Sequence, residues 1–284
     1  MKVLISADME GTCGVVDWVQ VTPPWDAPAS AAPSEYETAR RQMTAEVAAA
    51  VRGALAGGAS GVTVNEAHDG MKNLIGALLP REARLITGHH KPLSMMQGID
   101  EPGMAAAIFT GYHGKATTPQ SVLAHSFTGF VQDIRFDGLS TGEYGVNAAI
   151  AGHFDVPVVM VTGGDICIAQ VKAFCGDAVV GVEVKKELGT KAASHLHPEL
   201  AVELIESGAR EALQLAREIP PWKLRPGARV ELDLAHQEQA DLAALALGVE
   251  RTGNLTVAFD ADDALHMMHM LRSMFNAIMT KFAV

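Results

Sequence analysis

With 284 residues, of which 48% are hydrophobic and 19% charged, the chain has the composition of a folded protein with one large or two modest domains. Asp and Glu outnumber Lys and Arg by 33 to 22, and a net charge of -11 would repel a phosphate backbone, which argues against nucleic acid as a partner. No stretch approaches the roughly 18 consecutive apolar residues of a membrane span, so no membrane partner is predicted.

The cysteines and the N-terminal residues predict a cytoplasmic protein. Cys13, Cys167 and Cys175 are odd in number and irregularly spaced, so they form neither a disulfide framework nor a metal-binding C-x-x-C pair. The first apolar run is interrupted at Asp8, which leaves it too short for the core of a signal peptide.

Short β-branched runs alternate with helical stretches, which predicts an α/β fold with a largely parallel sheet flanked by helices. The predicted strands comprise residues 3–5, 62–64, 84–86, 106–109 and 156–161. A surface excursion rich in proline separates the first strand from a helix. Ser34 and Glu37 have the spacing of a capping box, so the helix is expected to begin at Ser34 and to stop at Gly57 and Gly58.

The later part of the chain has a different pattern of predicted elements. Residues 121–136 alternate as in a hairpin, with His125 near its tip, and a helix is expected after Ser140. Beyond Val179 come longer amphipathic helices at about 198–218 and 262–282, with strands near 230–232 and 255–257. We therefore predict an α/β metal-binding catalytic domain at 1–178 and a smaller α+β domain at 179–284.

Several potential metal ligands directly follow predicted strands. Asp8 and Glu10 follow the first strand, His68 the second, His113 the strand at 106–109 and Asp165 the strand at 156–161. Ligands of open α/β sheets bind beyond the carboxyl ends of the strands, so these side chains are expected to converge on one rim. Residues i and i+2 of an extended chain point the same way, so both carboxylates of the first pair could face one cation.

Each candidate also has an ordinary structural explanation. Acidic pairs are common on solvated turns, and His68 could be a surface-loop histidine. His125 could be a partly buried, hydrogen-bonded histidine. Ser140 and Glu143 have the spacing of a capping box, in which the glutamate needs no chemical role.

Other histidines are weaker candidates. His266 and His269 are three residues apart on a helix, but the methionines around them favour core packing. No G-x-G-x-x-G, G-K-[ST] or G-x-S-x-G motif occurs, so the sequence supports neither a nucleotide site nor a serine hydrolase.

Taken together, the segments resemble the zinc-dependent D-aminopeptidase (DppA) family. The matching pieces are Ser6-Ala7-Asp8-Met9-Glu10-Gly11, Val64-Asn65-Glu66-Ala67-His68, Met71-Lys72-Asn73-Leu74, Lys91-Pro92-Leu93-Ser94-Met95, Gly111-Tyr112-His113, Ala124-His125-Ser126 and Gly142-Glu143-Tyr144-Gly145-Val146-Asn147. The match covers about the first 170 residues well and the remainder loosely.

The resemblance implies a dinuclear zinc site in which Asp8 bridges two ions. Glu10, His68, His113 and Glu143 would complete the coordination, and His125 matches the family's additional active-site histidine. It further implies hydrolysis of short peptides rich in D-amino acids by a metal-activated water, in a homo-oligomer that forms a decameric ring. The ligand types do not separate zinc from manganese, cobalt or iron.

Some positions depart from the family pattern. Asn65-Glu66-Ala67-His68 stands where the family usually has Asn-Asp-Ser-His, and Ala124 replaces a serine. The proline-rich stretch is longer than usual. None of these changes removes a proposed ligand.

Two other functions remain open from the sequence. Two-metal sites also hydrolyse phosphate esters, although no arginine or P-loop stands beside the motifs to hold a phosphate. The third possibility is a non-catalytic protein that binds metal or peptide. The role of His125 as general base, oxyanion stabiliser or nucleophile also remains open.

Overall fold

The computed structural model describes residues 1–28 and 31–282, with the side chains of residues 281 and 282 left out of the description. Within these residues the chain forms twelve strands and seven α-helices. The strands are β1 (Lys2–Ala7), β2 (Gly61–Glu66), β3 (Ala83–Ile86), β4 (Met104–Tyr112), β5 (Val131–Phe136), β6 (Leu139–Thr141), β7 (Val158–Gly164), β8 (Val180–Gly189), β9 (Ala192–His195), β10 (Ala228–Leu234), β11 (Glu250–Arg251) and β12 (Thr256–Ala261). The helices are α1 (Trp18–Val21), α2 (Pro33–Ala56), α3 (Glu143–His153), α4 (Asp165–Cys175), α5 (Pro198–Leu215), α6 (Gln237–Ala243) and α7 (Ala264–Phe282).

A seven-stranded sheet carries the larger part of the core. Its order is β3-β2-β1-β4-β7-β8-β9, and every neighbouring pair is parallel except β8 with β9. Val3, Leu4 and Ile5 of β1 are all fully buried, as expected of a parallel strand covered on both faces. This sheet confirms the predicted α/β fold with a largely parallel sheet.

A second, five-stranded sheet is antiparallel throughout, in the order β11-β12-β10-β5-β6. Its strands β10 and β12 confirm the strands predicted near residues 230 and 255. The two sheets do not divide the chain at residue 178. Strands β8 and β9, which follow this residue, extend the larger sheet, and strands β5 and β6, which precede it, belong to the smaller one. The division into domains 1–178 and 179–284 stays a prediction.

The first long helix, α2, starts earlier than its sequence pattern predicts. Its N-cap is Ala32, which makes no side-chain capping bond, and Pro33 occupies the first turn. The predicted capping box of Ser34 and Glu37 is therefore wrong. The predicted stop is confirmed, since Gly57 caps the helix and Gly58 has a φ of +99°.

One prediction about loops needs correction. The proline-rich excursion follows the short helix α1, which Asp17 and Gln20 cap reciprocally, and its residues 29–30 lie outside the described part of the chain. The predicted hairpin at 121–136 is wrong for its first half. The hairpin is β5–β6, which turns at Asp137 and Gly138, and His125 lies in the irregular loop before it.

No helix within residues 1–28 and 31–282 combines the length and apolar character needed to cross a membrane. The prediction of a cytoplasmic protein remains a prediction.

The ends of β1 and β4 approach each other closely, and glycine permits this contact. The Gly11 amide donates to the Gly111 carbonyl at 2.7 Å, and the Asp8 amide donates to the Thr110 carbonyl at 2.9 Å. Gly111 has a φ of +67°, and a Cβ placed there would lie 2.2 Å from the Asp8 carbonyl oxygen. The backbone at Asp8 therefore depends on the absence of a side chain at position 111.

We expect Gly111→Ala to lower the free energy of unfolding by about 2–4 kcal/mol, because strain at positive φ adds to a steric clash with the backbone. Gly14→Ala is the matched control. Gly14 has a φ of +86° with no atom within 4 Å of an added Cβ, so only the strain of about 1–2 kcal/mol applies. Urea unfolding of both variants measures the difference, and equal losses would contradict the role of close approach.

Candidate metal centre

Five carboxylate and histidine side chains meet beyond the carboxyl ends of three adjacent parallel strands. Asp8 and Glu10 follow β1, His68 follows β2 and His113 follows β4. Glu143 is the first residue of α3, and its side chain reaches the same cluster from this helix. All five side chains are buried, at 6% exposure or less.

The closest ligand atoms are between 3.1 and 3.7 Å apart. The pairs are His68 Nδ1 with Glu10 Oε2 at 3.1 Å and with Asp8 Oδ1 at 3.4 Å, His113 Nε2 with Asp8 Oδ2 at 3.4 Å and with Glu143 Oε1 at 3.5 Å, and His125 Nε2 with Glu143 Oε1 at 3.6 Å and with Glu10 Oε1 at 3.7 Å. Only the contact of His68 with Glu10 has the length of a hydrogen bond, and the spacing of the remaining atoms leaves room for a cation between them.

Three groups of ligand atoms are compact enough to hold an ion, each with all its atoms within 4.8 Å of one another. The groups are Asp8–Glu10–His68, Asp8–His113–Glu143 and Glu10–His113–His125. Elsewhere in the described part of the chain no comparable group of three or more occurs. Asp8 belongs to two groups, and each of its oxygens faces a different histidine.

Backbone carbonyls fix the orientation of all three imidazoles. The contacts are His68 Nε2 with Val21 O at 2.8 Å, His113 Nδ1 with Gly114 O at 3.0 Å and His125 Nδ1 with Leu123 O at 2.9 Å. A carbonyl only accepts, so in each ring the contacting nitrogen carries a proton. The other nitrogen of each ring faces the carboxylates, and in a neutral ring that nitrogen carries the lone pair that can bind a metal cation.

Two of the facing atoms have no hydrogen-bond partner at all. Asp8 Oδ2 and His113 Nε2 are both buried and unsatisfied, at 3.4 Å from each other. A buried polar atom without a partner is unfavourable, and a shared metal ion would satisfy both atoms. The residues present therefore fit a metal ion.

The electrostatics of the cluster point the same way. Burial by itself lowers the pKa of His68, but the carboxylates of Glu10 and Asp8 outweigh it and raise that pKa well above its ordinary value. The pKa of His113 is raised for the same reason by Glu143 and Asp8. Burial, together with repulsion from Glu10, raises the pKa of Asp8. Three buried carboxylates thus attract positive charge.

Further contacts hold these side chains in place. The Met9 amide donates to Asp8 Oδ1 at 3.0 Å, and the Phe127 amide donates to Glu143 Oε1 at 2.6 Å. Lys185 is 1% exposed, and its ammonium donates to the carbonyls of Glu10 at 2.6 Å and Val15 at 2.8 Å. A cation within β8 therefore fixes the loop that carries Glu10.

Glu66, which departs from the family pattern, has a structural role. Its carboxylate accepts from the Asn73 amide nitrogen and side-chain nitrogen, and from the Leu74 amide at 3.0 Å. These bonds hold the loop that follows His68, and the Asn73 side chain also donates to the His68 carbonyl at 2.9 Å. The replacement therefore changes the support of the site and keeps its ligands.

A cavity of about 550 Å³ opens above the cluster. This volume suits one small ligand. Asp8, Glu10, His68, His125 and Glu143 form part of its wall. The remaining wall includes residues from α1 and one face of α7, namely Trp18, Val21, Met268, Arg272, Phe275, Asn276 and Met279.

Known proteins resemble the chain over nearly its whole length. The Peptidase_M55 family model, described as D-aminopeptidase, matches residues 1–273. The chain belongs to the D-aminopeptidase family. A curated D-aminopeptidase of Bacillus subtilis (strain 168) is 34% identical over 266 residues, which cover 93% of each chain. The solved structure of the Zn-dependent D-aminopeptidase DppA from Bacillus subtilis, described as a self-compartmentalizing protease, matches with a TM-score of 0.91 and 33% identity over 98% of both chains.

Membership of the D-aminopeptidase family confirms the resemblance deduced from the sequence and the prediction of a peptidase. The structure brings all six predicted site residues together, while their individual roles stay proposals. Asp165, which was expected on the same rim, is in none of the three ligand groups. Its carboxylate accepts from the Glu187 amide at 2.9 Å.

The capping box predicted at Ser140 is wrong. The N-cap of α3 is Gly142, without a side-chain bond, and the Ser140 hydroxyl donates to Asp133 Oδ1 at 2.5 Å. The pair His266 and His269 also forms no ligand group in the described residues, which agrees with the core-packing interpretation: the neighbouring Met267 and Met268 are at most 2% exposed.

Sequence reasoning missed Lys185 and Arg272. Lys185 stands beside Lys186, and nothing in that pair indicates which one is buried. Arg272 had a usable signal. It lies four residues after Met268 and three before Phe275, so a charged residue interrupts the apolar face of a helix.

Proposed function

We propose that this protein is a zinc-dependent D-aminopeptidase that hydrolyses short peptides at a dinuclear site. The observation that carries this proposal is the shared carboxylate. Asp8 Oδ1 faces His68 and Asp8 Oδ2 faces His113, so one side chain connects two adjacent groups of ligands. Zinc and the D-configuration are supported by the names of the relatives, and nitrogen and oxygen ligands of this kind suit zinc.

The ligand groups suggest which residues would hold each of the two ions. Glu10 and His68, with Asp8, would hold one ion, while His113 and Glu143, with Asp8, would hold the second. Bound zinc ions supply Lewis-acid polarisation of the scissile carbonyl and a water whose pKa is lowered toward neutrality. The backbone bonds to the second nitrogens of both histidines keep the rings in the orientation needed for binding.

His125 is proposed as the general base. It is the most exposed of the six side chains, at 16%, and lines the cavity. Because its Nδ1 donates to the Leu123 carbonyl, the neutral ring has its lone pair on Nε2, where it can accept a proton. The ring is held between His113, stacked at 4.2 Å, and the edge of Trp18 at 5.3 Å. This geometry favours the base over an oxyanion stabiliser, which would need a donor at Nε2.

The phosphoesterase alternative is not favoured, because the relatives are named as peptidases. The non-catalytic alternative is not favoured for the same family reason.

A panel of four alanine dipeptides, covering both configurations at both positions, tests the proposed function. With zinc added, we expect the peptides with D-alanine at the N-terminus to be cleaved at least about tenfold faster than their L counterparts, a difference typical of stereospecific sites. Dialysis against EDTA should abolish cleavage, and zinc should restore it. Faster cleavage of the L,L peptide, or turnover of p-nitrophenyl phosphate only, would contradict the proposal.

His125→Ala should retain bound zinc and lose turnover by about 10²–10⁴-fold, because it removes a proton acceptor and no ligand. His113→Ala should lower the zinc content itself, since the imidazole is proposed to hold one ion together with Asp8 and Glu143. His269→Ala is the matched control, because that ring is exposed and lies outside the groups. Elemental analysis and dipeptide assays read out both properties. Full activity of His125→Ala would remove it from the mechanism.

We also propose a homo-oligomer, since the relative DppA is described as self-compartmentalizing. Large apolar side chains on the surface, Leu247 at 96% and Leu245 at 77% exposure, are candidates for burial between subunits. If the assembly is a decamer, light scattering should give ten times the 30.0 kDa of one chain. The mass of one chain would contradict any oligomer, and another multiple would contradict the decamer.

A further inference from the structure

The cavity above the metal cluster has an unusual distribution of charge. The acidic side chains of Asp8, Glu10 and Glu143 form the floor, and Asp69 lies exposed at the rim. Two basic side chains, Lys91 and Arg272, also line the cavity. A ligand that uses both regions would carry a group for the metal cluster at one end and a negative charge at the other.

The ammonium of Lys91 is occupied by hydrogen bonds within the protein. It is 8% exposed, and its ammonium donates to Asn65 Oδ1 at 2.7 Å and to the Glu66 carbonyl. These bonds connect it to the end of β2, next to His68. Lys91 therefore supports the wall of the cavity and is poorly placed to serve a ligand as well.

The guanidinium of Arg272 is only partly occupied by hydrogen bonds within the protein. It is half-buried on α7, and Nη1 donates to the Lys91 carbonyl at 2.6 Å and to the Pro92 carbonyl at 3.0 Å. No carboxylate among the described residues forms an ion pair with it, and Nε and Nη2 donate to no acceptor there. One nitrogen thus anchors the guanidinium while its remaining edge is free to bind a ligand.

The surroundings define what such a ligand could be. An arginine fork matches a carboxylate, and the low dielectric of a half-buried site strengthens the bond. On the same face of α7, Met268 and Phe275 precede and follow Arg272 at helical spacing and line the cavity with Phe127. Small apolar side chains and one carboxylate are the features of the C-terminal residue of a short peptide.

We propose that Arg272 binds the free C-terminal carboxylate of the substrate, so that the enzyme acts on short peptides with an unblocked C-terminus. This inference rests on the proposed peptidase function and adds the second end of the substrate to it. In such a complex the scissile bond would lie at the metal cluster and the C-terminal carboxylate at the guanidinium, since both line one cavity. Dipeptides are therefore the substrates on which this contact is expected to act.

The test compares a dipeptide with its C-terminal amide, in the configuration that the panel shows to be cleaved fastest. Wild type should cleave the acid with a kcat/KM about tenfold or more above that of the amide, the range expected for a charge-assisted hydrogen bond. Arg272→Gln removes the charge and the guanidinium fork but keeps a polar side chain with N–H donors. It should bring the ratio near one by raising KM for the acid much more than KM for the amide.

Arg272→Lys keeps the charge without the fork and should retain part of the preference. Arg210→Gln is the matched control, because Arg210 is exposed on α5 and does not line the cavity; it should leave the ratio as in wild type. The zinc content of all variants, measured by elemental analysis, should equal that of wild type. This reading separates a loss of substrate binding from a loss of the metal centre.

Three outcomes would overturn the inference. A wild-type ratio near one, or an unchanged ratio in Arg272→Gln, would show that the carboxylate is not recognised by this residue. An equal loss on acid and amide would assign Arg272 to the support of the turn at Lys91 and Pro92. If the zinc-loaded wild-type protein cleaves neither peptide, the proposed peptidase function is refuted. The inference about Arg272, which rests on that function, is then refuted as well.

Discussion

Three carboxylates buried together constitute the central constraint on this structure. Asp8, Glu10 and Glu143 are at most 6% exposed and lie within reach of one another, an arrangement that is strongly unfavourable unless positive charge is supplied. Histidines provide ligand atoms around them, and carbonyl contacts hold the rings so that their second nitrogens face the carboxylates. Metal cations would balance the charge of these carboxylates, and the surrounding fold keeps the carboxylates together.

The parallel sheet explains why the cluster can form. Adjacent strands β2, β1 and β4 all end at one edge, and the loop after each contributes a ligand. The contact of Gly11 with Gly111 brings two of these loops together, and Lys185 fixes the first of them from β8. The backbone approach and the buried ammonium thus position ligands that would otherwise repel one another.

The smaller sheet and its helices supply the other half of the cavity. α7 packs on α3, whose first residue is Glu143, and presents Met268, Arg272 and Phe275 to the space above the cluster. The chemistry is therefore located on the parallel sheet, whereas features that select a substrate come from the C-terminal helix.

The sequence by itself determined the α/β class and the convergence of Asp8, Glu10, His68 and His113, because ligands placed directly after apolar runs share a sheet edge. Glu143 and His125 came from the family resemblance, since the local spacing at Ser140 and Glu143 equally suggested a capping box, which the structure does not contain. Only the tertiary structure decided which helix face completes the cavity and which lysine is buried. Arg272 lies 129 residues beyond Glu143, and such a contact depends on the packing of distant elements, which no local pattern encodes.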